Sequence, residues 1–433
     1  MTYDILVLHG LGDRTKTRRT SLNHALCYER YAPGQRYLYH DVAVPPTRAM
    51  RRIPFQAVIL DTTFLRWRWR RAAVFQHYQF LRDLDAVKIA LPQDDYDFTD
   101  VLDGFLDDIE ADVVYTPIQE HWEVLYPRTI KKAEIRLGLT GYVDDEDVGR
   151  LDHIAKPFAD RTVDVGCRVK HLPPSRGRFG QLKGEFAHRF AAAAKGGDLS
   201  LDISTRPEDV LVGPRWLEFL GDSRYTLGSL GGCSILDRDG EIQHRVKRYL
   251  GENPEAAFEE VEAACFPGQD GRYDFPAISP RLFEVAMARS CQVMIAGDYL
   301  GLLKPDEDYI AVAEDFSNLA DVIDRLSDWD AAERMIASCH EKLVASDRFR
   351  YSRFVAEIMT TIADYAERKH VSLSATADFE RLAAEHERES AKWADRRSRL
   401  ARWGGALGFL GPLHPVVRAV YRGVKQFVPA LRY

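Results

Sequence analysis

Three stretches of this 433-residue sequence carry residue types able to hold a phosphorylated ligand. The first is Ser279-Pro280-Arg281-Leu282-Phe283-Glu284. Serine is a good N-cap and proline a good first helical residue, so a helix is expected over 280–289, with Arg281 and Glu284 on one face. The pair reads either as an intrahelical ion pair of about 0.2–0.5 kcal/mol, or as Glu284 accepting hydrogen bonds from ribose hydroxyls while Arg281 and the helix dipole face a diphosphate. The second stretch is Val165-Gly166-Cys167-Arg168 followed by Gly177-Arg178-Phe179-Gly180-Gln181-Leu182-Lys183-Gly184. It sets Arg168 at a strand end and Arg178 and Lys183 around a helix start. Phosphate oxygens suit a guanidinium fork, an ammonium and free helix-terminal N–H groups; solvated loop residues would have the same composition.

The third stretch, His9-Gly10-Leu11-Gly12-Asp13, has glycines that let backbone N–H groups approach an anion or a sugar. It is not a dinucleotide fingerprint, since Thr15 stands where G-x-G-x-x-G needs its last glycine. It is not half of a hydrolase site either, because the chain has no G-x-S-x-G elbow. D-x-D occurs at six places, from Asp83/Asp85 to Asp328/Asp330, too many to mark a metal site. A carboxylate or imidazole for general acid–base work is sought at the carboxyl ends of the N-terminal strands, where Asp94 and His9 are the candidates; helix capping and packing are their ordinary alternatives. Leu65-Arg66-Trp67-Arg68-Trp69-Arg70-Arg71 interleaves aromatic and basic residues and reads as an acceptor-side or lipid-facing loop.

The elements that must position these groups alternate between short β-rich runs and helical patterns, the mark of parallel sheets built from βα units. Strands are expected at 4–9, 36–42, 56–61, 87–91 and 112–115, then at 162–169, 199–204, 224–227, 291–295 and 309–312. Helices are expected at 21–31, 74–84, 99–109, 184–194, 214–220, 280–289 and 319–326, with a charged helix over 379–402. The reading is α/β, two doubly wound Rossmann-like domains facing a cleft: an N-terminal domain at 1–155, a C-terminal domain at 156–360, and a basic helical tail at 361–433. Open parallel sheets bind ligands beyond the carboxyl ends of their strands, where all three stretches fall.

Composition removes other classes. With 45% apolar and 29% charged residues the chain is neither disordered nor fibrous, and its six scattered cysteines encode neither a zinc ribbon nor a disulfide framework. The start of the sequence lacks the pattern of a signal peptide, and a cytoplasmic protein is expected. The net charge is −7, yet from Lys392 onward nine basic residues face one acid. Nucleic acid is therefore not an expected partner of the body, whereas residues 390–433, amphipathic and basic, are expected to touch an anionic membrane on its inner face.

From Ser279 through Tyr299-Leu300-Gly301-Leu302-Leu303-Lys304-Pro305, Tyr309-Ile310 and Asp315-Phe316-Ser317-Asn318 the sequence resembles the C-terminal segment of CgeB-like group 1 glycosyltransferases. Residues 165–183 and 202–234 are similar to that family too, and Leu91-Pro92-Gln93-Asp94-Asp95-Tyr96 more loosely. The resemblance implies a GT-B fold and transfer from a nucleotide-sugar donor, held by the C-terminal domain, to a glycan, lipid-linked or protein acceptor. It implies Arg168, Arg178, Lys183, Ser279, Arg281 and Glu284 on the donor side, Gly10 and Gly12 in the acceptor-side loop, and no essential metal. Of the E-x7-E pair of related group 1 enzymes Glu284 matches the second member, while Pro276 occupies the place of the first. That departure keeps open a catalytically silent GT-B domain acting as a binding or assembly module.

Overall fold

The computed structural model describes residues 1–372 and 376–409. The first sheet has six strands, all parallel: β1 (Asp4–His9), β2 (Arg36–Asp41), β3 (Ala57–Leu60), β4 (Val87–Ala90), β5 (Val113–Thr116) and β6 (Glu134–Leu137), ordered β2-β1-β3-β4-β5-β6. Every residue of β1, β3, β4 and β5 is buried, as expected for parallel strands covered on both faces. The edge strand β6 is exposed and carries Glu134 and Arg136, so it shows no apolar run by which the sequence could announce it.

The second sheet is built from β7 (Val163–Arg168), β8 (Leu201–Ser204), β9 (Ser223–Gly228), β12 (Cys291–Ile295) and β13 (Ile310–Val312), also parallel, ordered β13-β12-β9-β7-β8. Between β9 and β12 the antiparallel ribbon β10 (Gly231–Cys233) and β11 (Phe275–Ala277) brackets an excursion of the chain. Strand order reverses between β1 and β3 in one sheet and between β7 and β9 in the other, which makes the carboxyl ends there the natural ligand positions. Two such Rossmann-like sheets facing a cleft are the GT-B architecture.

Seven helices matter below: α1 (Arg19–Tyr31), α2 (Gly177–Ala193), α3 (Glu241–Glu252), α4 (Phe258–Cys265), α5 (Arg281–Met287), α6 (Tyr351–Arg368) and α7 (Thr376–Phe409). Helix α2 begins seven residues before the expected 184 because glycines that read as breakers serve close approach. A Cβ at Gly180 would lie 2.4 Å from the Arg176 Cβ, and one at Gly184 would lie 2.7 Å from the His171 ring. The expected helix at 74–84 is instead a run of 3-10 turns over Ala72–Asp83 that buries Val74, Phe75, Tyr78 and Leu81.

Domain packing crosses sequence order. Ile242, Val246, Val261, Cys265 and Phe275, all from the excursion, share one core with Leu60, Tyr96 and Phe105 of the first domain. Helix α6 lays Phe354, Val355, Ile358 and Ile362 against the other face of the first sheet. Helix α7 seats Phe379 and Leu382 in the first domain's core, and His386 bonds the Thr47 hydroxyl at 2.9 Å. The start of the expected tail thus packs on the N-terminal domain. The part of the expected amphipathic, basic segment 390–433 beyond residue 409 lies outside the described residues. Among the described residues no helix is long and apolar enough to cross a membrane, and all six cysteines are buried and free.

Candidate functional site

At the carboxyl end of β7 a cavity of about 250 Å³ opens between the domains. Its walls carry Arg168 from the end of β7, Lys183 from α2, Ser279, Arg281 and Glu284 from around α5, Trp216, and Arg18, Arg19 and Thr20 from the start of α1. Arg281 donates from Nη2 to the Arg168 carbonyl at 2.6 Å and lies 5.3 Å from the Trp216 ring centroid; its Nε is buried without an acceptor. Arg168 bonds Asp202 through both terminal nitrogens, at 2.7 and 2.6 Å, and stacks 4.6 Å over Phe219, again with Nε buried and unsatisfied. Arg19 pairs with Asp147, whereas Arg18 is in no ion pair among the described residues.

Lys183 is in no ion pair or hydrogen bond among the described residues. Burial, and then repulsion from Arg281, lower its ammonium pKa to about 8, although Asp94 of the first domain attracts it across the cleft. Glu284 accepts a hydrogen bond from Trp216 Nε1 at 3.0 Å. Burial raises its carboxyl pKa, against the pull of Arg281 and Trp216. Arg18, Arg168, Lys183 and Arg281 thus surround this single acid.

The expected Ser279 cap is not made: its carbonyl accepts from the Leu282 N–H at 3.0 Å, and its side chain makes no capping bond. The local chain enters the helix through Pro280, already helical, which leaves Ser279 on the cavity wall. Arg178 stands apart from the other cations. Its half-exposed guanidinium faces Glu259 at 3.0 Å, Glu262 at 3.7 Å and Asp270 at 3.6 Å and stacks on Phe258, so α4 draws it away from Lys183 and Arg281.

On the opposing domain His9 ends β1, 3% exposed, with Nδ1 3.6 Å from the Asp41 carboxylate. Burial lowers its pKa, offset in part by Asp41, and keeps the imidazole neutral near pH 7. The glycine amides beside it are engaged within the fold: Gly10 N–H donates to Thr63 Oγ1 and Gly12 N–H to Asp41 Oδ2, each at 2.9 Å. Asp94 follows β4 with φ 52°, half-buried, accepting from the Tyr96 hydroxyl at 2.8 Å. Its loop is fixed from below by Arg68, which is buried and donates to the carbonyls of Leu65, Gln93, Asp94 and Asp97 at 2.7–2.9 Å. Within the stretch 65–71, read as an acceptor-side or lipid-facing loop, Arg68 does not face outward: its guanidinium points inward because four carbonyls converge there.

Sequence reasoning missed Arg18, Trp216, Arg68 and Arg176. Arg176 forms an ion pair with Asp97 at 2.5 Å and lies 5.4 Å from the Tyr96 ring, joining the two domains beside the cleft. Its place next to Gly177-Arg178 was the available signal, but nothing in the spacing distinguishes an arginine aimed at the other domain from one aimed at a ligand. The cleft continues into a second cavity of about 550 Å³ between Gln119, Glu120 and His121 of the first domain and Ser229, Arg272 and Asp298 of the second. Among the described residues no group of three or more His, Cys, Asp or Glu is placed to hold a metal.

No family model matches the chain, and no curated protein matches it. Solved structures align with most of it: an alpha-glucosyltransferase in complex with UDP and a mismatched 13-mer DNA, at 11% identity over 84% of this chain and 100% of that one, TM-score 0.47. Anabaena Alr3699/HepE in complex with UDP-glucose aligns at 12% identity over 84% and 100%, TM-score 0.41. A glycosyltransferase from Rickettsia africae ESF-5 aligns at 10% identity over 84% and 98%, TM-score 0.44.

Proposed function

We propose that the chain is a glycosyltransferase that moves a sugar from a nucleotide-sugar donor to a cell-envelope, polysaccharide or protein acceptor. The observation that carries the reading is the cavity at the end of β7, where Arg18 and Lys183 have no acid partner among the described residues and Arg168 and Arg281 each keep a buried, unsatisfied Nε. Unpaired buried donors and cations cost stability, and a diphosphate offsets that cost by supplying charge and acceptors at once. In the reaction the bond between the anomeric carbon and the phosphate oxygen breaks and the acceptor oxygen bonds that carbon. The acceptor's proton passes to a base, and the nucleoside diphosphate leaves with added negative charge. Lys183, Arg281, Arg168 and Arg18 stabilise that charge as it grows. Glu284, held by Trp216, binds the ribose. Asp94, on the opposing domain and within electrostatic reach of Lys183, is the base; His9, buried at the end of β1, is the other candidate for that role.

The resemblance to CgeB-like group 1 enzymes over 279–318 supports the same division of roles. A thermal-shift screen of nucleoside diphosphates and nucleotide sugars tests it: a ligand at 100 times its Kd stabilises by about 2.7 kcal/mol, and no shift with any of them would overturn the donor assignment. One observation favours the silent alternative. Pro276, at the first position of the donor pair, stands within β11 and offers no carboxylate. Release of sugar or free nucleotide from a bound donor separates the two readings.

A further inference from the structure

The loops after β2, β1 and β3 are neighbours, because those strands lie side by side at the edge of the first sheet. Between residues 14 and 71 they and their helices carry thirteen Lys and Arg against three acids, in a chain of net charge −7. Two of those acids are engaged. Asp61 is buried against His24 at 2.8 Å, and Asp41 accepts from the amides of Gly12 and Ala43 at 2.9 Å. Arg14, Lys16, Arg18, Arg48, Arg51 and Arg52 are exposed on this rim. Their only ion pairs among the described residues, Lys16 with Asp13 at 3.7 Å and Arg52 with Glu385 at 3.9 Å, are exposed and long. Half-buried Trp67, Trp69 and Phe80 lie beside them, with Arg51 4.9 Å over Phe80.

We propose that this rim docks the first domain on an anionic lipid surface. Exposed arginines supply attraction to acidic headgroups, and indole rings beside them favour the headgroup boundary over bulk water. A soluble polyanion would use the charges but gain nothing from the aromatics. The inner edge of the rim, Arg18 and Arg19, lines the proposed donor cavity, so docking brings the cleft mouth to the headgroups, where a lipid-linked acceptor presents its hydroxyl. Helix α7 is seated beside Met50–Arg52 at the same edge. The surface is separate from the donor reading, and its test uses no nucleotide.

The test is sedimentation of the full chain with vesicles of phosphatidylcholine alone and of phosphatidylcholine with phosphatidylglycerol, comparing the parent with the combined variant Arg14→Ser, Lys16→Ser, Arg48→Ser, Arg51→Ser. The tail is present in both, so a difference belongs to the rim. The parent is expected to pellet only with the anionic vesicles and to leave them as salt rises. The variant, its circular dichroism and melting unchanged, should lose about tenfold or more in partitioning. Equal partitioning of variant and parent, equal binding to neutral vesicles, or capture of the parent by soluble polyphosphate without vesicle binding would each overturn the proposal. If the combined variant does not fold, Arg14→Ser with Lys16→Ser and Arg48→Ser with Arg51→Ser, made as separate pairs, carry the same comparison.

Discussion

Donor binding should take up a proton, and Lys183 is the group that takes it. In the free cleft its pKa lies near 8, lowered first by burial and then by Arg281. A diphosphate placed against the ammonium favours the charged form and returns the pKa toward 10.5, the ordinary value. At pH 8.5 about three-quarters of the free protein holds Lys183 neutral, so each bound nucleotide should bring in about 0.8 proton; at pH 7 the figure falls to about 0.1. The apparent Kd should weaken about twofold by pH 8 and about tenfold by pH 9 relative to pH 6.5. Free-protein stability moves the opposite way. Between about pH 8 and 10.5 the unfolded chain binds the proton that the folded chain has released, so the Lys183 contribution to stability rises with pH over that window. Titration calorimetry at pH 8.5 in buffers of different ionisation heat reads the proton count directly. Lys183→Met should abolish the uptake and flatten the pH dependence above 7.5. Net uptake near zero in the parent, or the same uptake in the methionine variant, would refute the reasoning.

Three further outcomes are expected. Glu284→Ala should weaken nucleotide binding by about 1.5–3 kcal/mol with folding intact, as for hydrogen bonds to a charged group, measured by calorimetry; unchanged affinity removes Glu284 from the ribose. Asp94→Asn should lower turnover while leaving donor affinity nearly unchanged, because the two ligands are held by opposite domains, and equal loss of nucleotide binding would mark it as structural. Arg176→Ala should destabilise the protein by about 3–5 kcal/mol in urea unfolding by leaving the Asp97 carboxylate buried and unpaired, whereas Arg178→Ala, whose guanidinium is half-exposed and whose nearest partner Glu259 lies on the surface, should stay within about 1 kcal/mol.

What the sequence made legible follows from where each signal resides. Strands buried on both faces, such as β1 and β12, are short apolar runs between turn residues, and reading them was enough to place the strand ends from which the candidate residues emerge. Strand β6 hid behind its charges, and α2 began early because Gly180 and Gly184 pack against neighbours that no local pattern reveals. At the site, Lys183, Arg281 and Glu284 were legible because strand ends and helix starts fix where such side chains emerge. Arg18 and Arg178 were not, since each depends on what the other end of the chain places opposite it: α1 turns Arg18 into the cavity, and the acids of α4 pull Arg178 out.

The interleaving of the domains bears on how this chain is made. A ribosome that has released residues 1–155 has delivered all six strands of the first sheet but only part of its covers, Phe64, Phe75 and Phe105 on one face and Tyr28 on the other. One face awaits the excursion that ends near Phe275, and the other awaits α6 at Tyr351–Arg368. Nascent first domain must therefore persist with Val58, Leu60, Ile59 and Val113 incompletely shielded while some two hundred further residues emerge, on the order of ten seconds or more at usual elongation rates. Splitting the gene at the apparent boundary should give an aggregating N-terminal half, because the apolar surface it leaves open is the surface that the excursion and α6 cover.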